Sequence, residues 1–438
     1  MKMNIKKVLK EQIELIQPEK EIVKQAKKYS KEFISELGKE IAKKSLNADV
    51  FVGGSFAKGT LVKKYPYDID ILVRFDWKYD NLSKLLLSPL RETCKKLNLQ
   101  LKTIRGSRDY FKAYINKGIY FEVIPVTKIK KVHEERNVTD LSYFHVPYVK
   151  RKIKGKEDEV RLAKTFLHAQ RVYGAESYIQ GFSGYALECL IIHYKSFEKM
   201  LKELIKVKDE ERLVIDVEKH YKKKDDVFLE LNENKLYSPI ILIDPTYKER
   251  NALAALSHKT FVRFQRSASA FLKRPSKNFF IKKEIDVGKL KKKAKTRKAE
   301  FLHVKLKTNR QAGDIAGTKL KKFHYLLERE INKYFKLVQH EFEYDDKKEA
   351  DVYLIVKSRG EIVRIGPPIK LEDKQKMRAL EKHVKAFKLA HKNTYEKNGF
   401  VHARIKVNFS GKEFIENWKK ENDKMMNEMG IVGLRVLE

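Results

Sequence analysis

The sequence predicts a multidomain α/β protein of the α+β type, with a mixed-sheet head, a helical middle domain and a ferredoxin-like carboxy-terminal domain. The chain has 438 residues, which at ~150 residues per domain is enough for two or three domains. Hydrophobic residues make up 42% of the chain, enough for packed cores, and this excludes wholesale disorder. Segments with helical spacing of apolar residues are interspersed with segments of period-two spacing. We place the domains at residues 1–145, 146–275 and 276–438.

In the head, residues 1–145, the sequence predicts two helices followed by strands and a further helix. Apolar spacing and glycine punctuation predict, in order, two helices within residues 1–46, a strand at Asp49–Val52, a strand at Tyr67–Phe75, a helix at Leu85–Leu97 and a hairpin over Tyr110–Pro125 that turns at Asn116-Lys117-Gly118. This order of elements predicts a mixed α/β head.

In the remainder of the chain, the pattern of apolar and charged residues changes at two points. From Lys156 to Phe271 the pattern is mainly helical, with one apolar strand at Ile240–Ile243. Between Lys289 and Lys298 seven of ten residues are basic and none is acidic, which is typical of a solvated linker but also suits contact with a phosphate backbone. Beyond this run the pattern reads β-α-β-β-α-β, with the second helix over 373–390 and the last strand over 400–408. That order predicts the split βαβ layout of ferredoxin-like domains.

Charge and composition narrow the choice of partner and compartment. Lys and Arg number 96 against 59 Asp and Glu, so the chain carries a net charge of +37 and favours a polyanion, nucleic acid first and an anionic membrane surface second. No apolar stretch approaches the ~18 residues of a membrane span, and the amino terminus lacks a signal-peptide core, so we expect a cytoplasmic protein. The two cysteines, Cys94 and Cys189, offer neither a disulfide framework nor a zinc-binding cluster.

The most informative pattern is Gly53-Gly54-Ser55 followed by Asp68-Ile69-Asp70. Alternate residues of a strand share one face, so Asp68 and Asp70 project together and repel each other. Mg²⁺ resolves such repulsion, because it prefers one or two carboxylates together with the phosphates of a substrate. The Gly-Gly-Ser turn at a predicted helix start, with Lys58 close behind, suits a triphosphate.

Glu122 is the candidate third carboxylate for a two-metal site. It stands among apolar residues in the second arm of the predicted hairpin, where a buried carboxylate requires a partner. The alternative for all three acids is a solvated polar face on a strand. The glycine turn upstream favours the metal-binding interpretation.

The segments GGSFAKGT, YDIDILVRF and FEVIPV resemble the nucleotidyltransferase superfamily that includes DNA polymerase beta and the poly(A) polymerases. Four further stretches are similar to the archaeal, class I, CCA-adding tRNA nucleotidyltransferases: KIKGKEDEVRLAKTFL, YGAESYIQGFSGYALECLIIHY, DPTYKERNALAALS, and RIGPP with YEKNGFVHARI. The resemblance implies template-independent addition of C, C and A to tRNA 3′ ends from CTP and ATP, release of pyrophosphate, and repair of incomplete ends. It also implies a nucleotidyltransferase head, a middle domain that closes over the nucleotide, and a tail that binds the tRNA acceptor arm.

The resemblance also implies roles for individual residues. Two Mg²⁺ ions would be held by Asp68, Asp70 and Glu122, which form the catalytic set. The nucleotide-binding residues would be Gly54, Ser55, Lys58, Ser142, His145, Lys164, His168, Arg250 and Asn251.

The chain departs from the family pattern at four positions. Lys58 stands where relatives commonly have Arg, and Glu122 where they have Asp; both changes keep the charge. His168 stands where relatives often have a triphosphate-binding lysine. The alternatives are that His168 fills that role, that Lys164, one turn earlier, fills it, or that neither does. Ser177 stands where some relatives have a tyrosine that contacts the nucleotide.

Other interpretations stay open at this point. Within the GFSGY segment, Ser183 is expected to cap a helix and to have no catalytic role. Rival activities are A-only addition, CC-only addition and poly(A)-type synthesis. The non-enzymatic rivals are an RNA-binding scaffold without catalysis and, less favoured, a membrane-surface protein. A homodimer is neither indicated nor excluded.

Overall fold

The computed structural model describes residues 4–106, 108–116, 118–208, 211–370 and 374–438. The chain divides into two compact units, the first ending at Lys283 and the second beginning at Glu284. The boundaries at 145 and 275 therefore stay predictions. Lys117, at the predicted hairpin turn, lies outside the described residues. Within the described ranges, no helix is both long enough and apolar enough to cross a bilayer.

The first unit contains most of the predicted elements. Its α-helices are α1 Ile5–Ile16, α2 Lys20–Lys43, α3 Gly54–Lys58, α4 Leu82–Lys96, α5 Ser142–Lys152, α6 Glu157–Ala169, α7 Gly184–Tyr194, α8 Phe197–Leu204, α9 Lys224–Glu230 and α10 His258–Lys273. Its strands are β1 Ala48–Val52, β2 Tyr67–Phe75, β3 Gln100–Ile104, β4 Tyr110–Tyr114, β5 Ile119–Thr127, β6 Leu213–Asp216, β7 Ile240–Asp244 and β8 Tyr247–Asn251. Strands β3, β6 and β8 were not predicted.

A five-stranded mixed sheet forms the head, in the order β1-β2-β5-β4-β3. Strands β2 and β5 are parallel, while the other pairs are antiparallel. One face of β2 presents Ile69, Ile71 and Val73 to a core shared with Phe33 and Leu37 of α2. Because alternate residues point away from this core, the opposite face of β2 is left for polar side chains.

Helices α5, α6, α7, α8 and α10 share a second core within the same unit. Phe166 of α6 contacts Phe197 and Phe271, with ring centroids 5.4 and 5.6 Å apart. The amino-terminal helix α1 adds Val8 and Ile16 to this core. A mainly helical body therefore follows the head in sequence, with a small sheet of β6, β7 and β8 attached.

The second unit has a ferredoxin-like sheet. Its helices are α11 Val287–Thr296, α12 Asp314–Asn332, α13 Lys374–Ala390, α14 Gly411–Glu421 and α15 Asp423–Glu428; its strands are β9 Glu300–Thr308, β10 Phe335–Tyr344, β11 Glu349–Ser358, β12 Glu361–Pro368, β13 Thr394–Lys397, β14 Phe400–Lys406 and β15 Ile431–Val436. The main sheet runs β10-β11-β9-β15 with antiparallel neighbours. The elements β9, α12, β10, β11, α14 and β15 give the predicted β-α-β-β-α-β order.

Two of the elements assigned to that layout were wrong. Helix α13 and strand β14 do not complete the main sheet, because β14 pairs with β12 and β13 in a separate three-stranded sheet. The segment 361–406 is thus an insertion between the third strand and the second helix of the ferredoxin-like body. Its alternating and helical spacings resemble those of the elements that close the body, so sequence pattern alone assigned them to it.

The basic run was also wrongly interpreted as a linker. Most of it forms α11, which buries Leu290 and Ala294 against Tyr353 and Ile355 of β11. These two apolar residues are four positions apart, one helical turn, and this spacing marks a helix with a narrow buried stripe and a basic outer surface.

Candidate active site

Three carboxylates lie together on the polar face of the head sheet. Asp68 and Asp70 flank the buried Ile69 on β2. Glu122 on β5 is the register partner of Asp70, and directly opposed residues on neighbouring strands point to the same face. The structure thus brings together the three acids that the sequence singled out.

The electrostatics of this cluster favour a cation. Burial, followed by the charges of Glu122 and Asp68, raises the pKa of Asp70 to about 7. Lysines partly balance the other two acids: Lys64 Nζ lies 2.5 Å from Asp68 and Lys112 Nζ lies 3.0 Å from Glu122. A set of three converging carboxylates, one of which is difficult to ionise, matches the hard oxygen donors that Mg²⁺ prefers.

Position 54 requires glycine, because a side chain there would collide with Asp70. The φ of Gly54 is +57°, and a Cβ placed there would lie 1.6 Å from Asp70 Oδ2. The preceding Gly53 N–H donates to the Asp70 carbonyl oxygen at 2.8 Å. The glycine turn therefore packs its backbone directly against a predicted metal ligand, and Ser55 and Lys58 follow on the short helix α3.

A cavity of about 570 Å³ adjoins two of the acids. Of the predicted site residues, its lining includes Ser55, Lys58, Asp68, Asp70, Lys164 and His168. Both candidates for the phosphate-binding role, Lys164 and His168, therefore line one cavity with Ser55 and Lys58, whereas Gly54 does not line it. Glu122, Ser142, His145, Arg250 and Asn251 do not line it.

A buried carboxylate, Glu188 of α7, organises the lysines of this cavity. It lies 2.5 Å from Lys58 Nζ and 3.2 Å from Lys164 Nζ, and it accepts a hydrogen bond from Thr60 Oγ1 at 2.9 Å. Burial alone would raise the pKa of Glu188, but the two ammonium groups and the hydrogen bonds outweigh it and hold that pKa below its ordinary value. Burial lowers the pKa of Lys164, and the charge of Glu188 opposes this effect.

A second buried acid, Asp244, contacts two of the predicted nucleotide-binding residues, Arg250 and His145. It accepts hydrogen bonds from Arg250 at 2.7 Å, from His145 Nε2 at 3.1 Å and from the Tyr185 hydroxyl at 2.7 Å. The His145 ring also stacks on Tyr185, with centroids 3.7 Å apart. Burial lowers the pKa of His145, so the neutral ring donates its Nε2–H to an ionised Asp244.

The structure also places Asn251, Ser142 and Ser183, three further residues that the sequence analysis named. The Asn251 side chain is buried and bonds only to backbone groups here, accepting from the N–H of Leu242 and Leu253 and donating to the Lys235 carbonyl. Ser142 begins α5, one turn before His145. Ser183 caps α7 by accepting from Ala186 N–H at 3.2 Å, as predicted.

Sequence reasoning missed Glu188 and Asp244, although each leaves a signal. Glu188 is the single acid in the otherwise apolar stretch ALECLII, and Asp244 ends the apolar strand IILID. A lone acid on a fully buried helix or strand needs a cationic partner. The spacing did not reveal which cation, because Lys58 and Glu188 are 130 residues apart.

Two family models match parts of the first unit. The nucleotidyltransferase domain family matches residues 34–168, and the family described as tRNA nucleotidyltransferase, second domain, matches residues 158–281. A solved structure of a cytoplasmic RNA terminal U-transferase superposes with a TM-score of 0.49 at 11% identity, over 64% of this chain and 98% of that chain.

Curated relatives include CCA-adding enzymes from three archaea. That of Nanoarchaeum equitans is 45% identical over 213 residues, which is 49% of this chain and 52% of that protein, so the chain spans about half of its length. Identity is 31% with the Archaeoglobus fulgidus enzyme, over 77% of this chain and 71% of that protein. It is 30% with the Methanocaldococcus jannaschii enzyme, over 88% of this chain and 86% of that protein. The chain therefore belongs to the family of archaeal CCA-adding enzymes, within the DNA polymerase beta-like nucleotidyltransferase superfamily.

Proposed function

We propose that this chain adds C, C and A to the 3′ end of tRNA from CTP and ATP, releasing pyrophosphate, and that it completes partially degraded ends. The observation that carries the proposal is the convergence of Asp68, Asp70 and Glu122 on one face of the β2–β5 pair. The tRNA 3′-hydroxyl oxygen would attack the α-phosphorus in line, and the bond from that phosphorus to the pyrophosphate oxygen would break.

Asp68, Asp70 and Glu122 would hold two Mg²⁺ ions. When bound, the ions lower the pKa of the attacking hydroxyl and neutralise charge on the leaving oxygen. The protein's own part is to present ionised carboxylates at fixed spacing. Gly54 supports this by leaving room for the Asp70 side chain, and Lys64 and Lys112 balance the flanking acids.

Lys58 and Lys164 are the proposed ligands of the triphosphate. Both line the cavity beside Asp70, and both are held by Glu188. An ammonium group has three N–H donors, so the Lys58 contact with Glu188 leaves donors for phosphate oxygens. Lys164 Nζ also donates to Thr60 Oγ1 at 3.0 Å and to the Thr60 carbonyl at 3.4 Å, so it would exchange one of these bonds for a phosphate oxygen. Ser55 and His168 lie in the same lining and would add a hydroxyl and an imidazole to this set.

Arg250 and His145 are the proposed contacts for the nucleotide base and sugar. Asp244 fixes both side chains through charged or polar hydrogen bonds. A guanidinium held at one edge by a carboxylate still presents donors at its other edge, in the paired geometry that suits base acceptors.

The net charge of +37 supports tRNA as the polymer substrate, because phosphate contacts supply much of the affinity for nucleic acids. Helix α11 is a candidate contact in the second unit, since its outer surface carries lysines while Leu290 and Ala294 face the core. We expect tRNA affinity to fall steeply with salt, and the slope to become smaller when these lysines are replaced.

The test uses tRNA transcripts that end before CCA, before CA or before A, with CTP, ATP or both, and resolves products at single-nucleotide length. We expect extension that stops at CCA, and no extension by Asp70→Asn. Asp49→Asn is the matched control, because Asp49 lies on β1 of the same sheet and pairs with the exposed Lys128.

Each other outcome would replace the proposal with a stated alternative. A long A tail would indicate a poly(A)-type enzyme, and addition of A alone or CC alone a specialised transferase. Tight tRNA binding without extension would indicate an RNA-binding scaffold.

A further inference from the structure

In the second unit, three side chains with metal-ligating atoms converge between a helix and the neighbouring strand. His324 and Glu328 stand one turn apart on α12, and His340 lies on β10. One ligand atom from each residue lies within 4.8 Å of the other two. We propose that these three residues form a Zn²⁺ site that links α12 to β10.

The spacing of the two imidazole nitrogens fits a single ion, whereas Glu328 Oε1 lies closer to both nitrogens and would move away from them as it binds the metal. His340 Nδ1 lies 3.4 Å from His324 Nε2, and His324 Nε2 lies 2.7 Å from Glu328 Oε1. The same Glu328 oxygen also contacts His340 Nδ1. Tetrahedral zinc with bonds of about 2.0–2.1 Å places its ligand atoms roughly 3.3 Å apart, which is close to the observed nitrogen–nitrogen distance.

The donor set selects the class of metal. Mg²⁺ and Ca²⁺ prefer oxygen ligands throughout, whereas two imidazoles and one carboxylate suit zinc and its neighbours in the first transition row. The Glu328 side chain is 15% exposed and that of His324 only 1%, so a divalent cation would neutralise a largely buried carboxylate. His340 is 27% exposed, which leaves a path for water as the fourth ligand.

The surrounding fold holds these side chains in place. Phe323 and Leu327 of α12 are buried in the core of the ferredoxin-like body, which fixes the rotation of the helix. The Phe342 ring stacks on His324, with centroids 5.4 Å apart and planes 26° apart. A site whose ligands are positioned by packing loses little conformational freedom when the metal binds.

The experiment measures zinc binding in the full chain without a polyhistidine tag. The protein carries Asp68→Asn and Asp70→Asn, so that the catalytic carboxylates do not contribute. After chelator treatment, zinc is titrated in competition with a chromophoric chelator, and retained zinc is determined by elemental analysis. His340→Ala, Glu328→Gln and His324→Ala remove the ligands one at a time. His383→Ala is the control, because His383 is an exposed histidine on α13 outside the cluster.

We expect about one zinc per chain in the parent and in the control, and loss of stoichiometric zinc in the ligand variants. Zinc should also raise the unfolding temperature of the parent and of the control, but not that of the three ligand variants. If His324→Ala does not fold, the other two variants still test the proposal. Glu328→Gln is isosteric, and the His340 side chain is partly exposed. Absence of zinc binding by the parent, or equal binding by the parent and all three ligand variants, would overturn the proposal.

Discussion

The ammonium nitrogen of Lys58 lies 2.5 Å from the carboxylate of Glu188, although the two residues are 130 positions apart in the chain. Lys58 ends the short helix that follows the glycine turn, whereas Glu188 is buried in α7. Lys164 of α6 completes the cluster. One carboxylate thus joins the head to the helical body and holds two phosphate-binding candidates at the same cavity.

Replacing Glu188 with Gln should destabilise the protein strongly. The change leaves Lys58 and Lys164 largely buried without an acidic partner, and removing one member of a buried pair costs about 3–5 kcal/mol. The free energy of unfolding from urea titration measures the effect. Glu198→Gln, which breaks the exposed pair of Glu198 with Lys202 on α8, should change it by less than ~0.5 kcal/mol. Equal losses in the two variants would contradict this role for Glu188.

Asp70→Asn should stabilise the metal-free protein while abolishing activity. Because the folded-state pKa of Asp70 is raised from 3.8 to about 7, ionisation costs the wild type stability as pH rises through that range. The variant cannot ionise there, so its advantage in unfolding temperature should grow between pH 4 and pH 7 and stay constant above.

Thermal unfolding in a metal chelator at several pH values tests this expectation. Asp49→Asn is the control and should show no such growth with pH. Excess Mg²⁺ should stabilise the wild type more than Asp70→Asn, and so reduce the difference. An advantage that shrank as pH rose would refute the assignment.

Gly54→Ala should impair catalysis beyond its effect on folding. The new Cβ would collide with Asp70 Oδ2 and displace that carboxylate. Gly155→Ala is the matched control, since Gly155 also has a positive φ, +77°, but nothing lies within 4 Å of the added atom. Both variants should lose about 1–2 kcal/mol of stability from the backbone conformation. Only Gly54→Ala should lower kcat for CTP and ATP, by roughly 100-fold or more; similar kcat values would show that Asp70 is not displaced.

Asp244 and Arg250 should act as a coupled pair in nucleotide selection. Arg250→Lys loses the planar guanidinium, and Asp244→Asn leaves that group without its anchoring charge. Each should raise KM for CTP and ATP and alter the preference between them. The double variant should be little worse than the poorer single variant, because contacting residues are not additive. Lys248→Ala, on β8 but paired with Glu230 at the surface, should leave KM unchanged; additive effects would mean independent roles.

The head could be predicted well because its signals are local. Alternation in YDIDILVRF fixed which residues of β2 face the core, and this left Asp68 and Asp70 together on the other face. The position of Glu122 opposite Asp70 depends on strand order, which no local pattern encodes, so its role came from its apolar surroundings and from resemblance. Glu188 and Asp244 escaped prediction because their partners come from distant segments.

In the second unit, prediction from the sequence failed for a different reason. The period of the apolar residues identified α13 and β14 as a helix and a strand, but periodicity does not say which sheet a strand joins. In the run Lys289–Lys298, seven basic residues outweighed two apolar ones, and the narrow buried stripe of Leu290 and Ala294 on α11 was overlooked.

The three-stranded insertion of residues 361–406 leaves and re-enters the ferredoxin-like body at adjacent points. At its base, Val407 N–H donates to the Gly360 carbonyl at 2.8 Å, so a single backbone hydrogen bond closes the segment off. The residues that pair in the β10-β11-β9-β15 sheet all lie outside the insertion. We therefore expect this segment to tolerate shortening, exchange or extension while the domain that carries it keeps its fold.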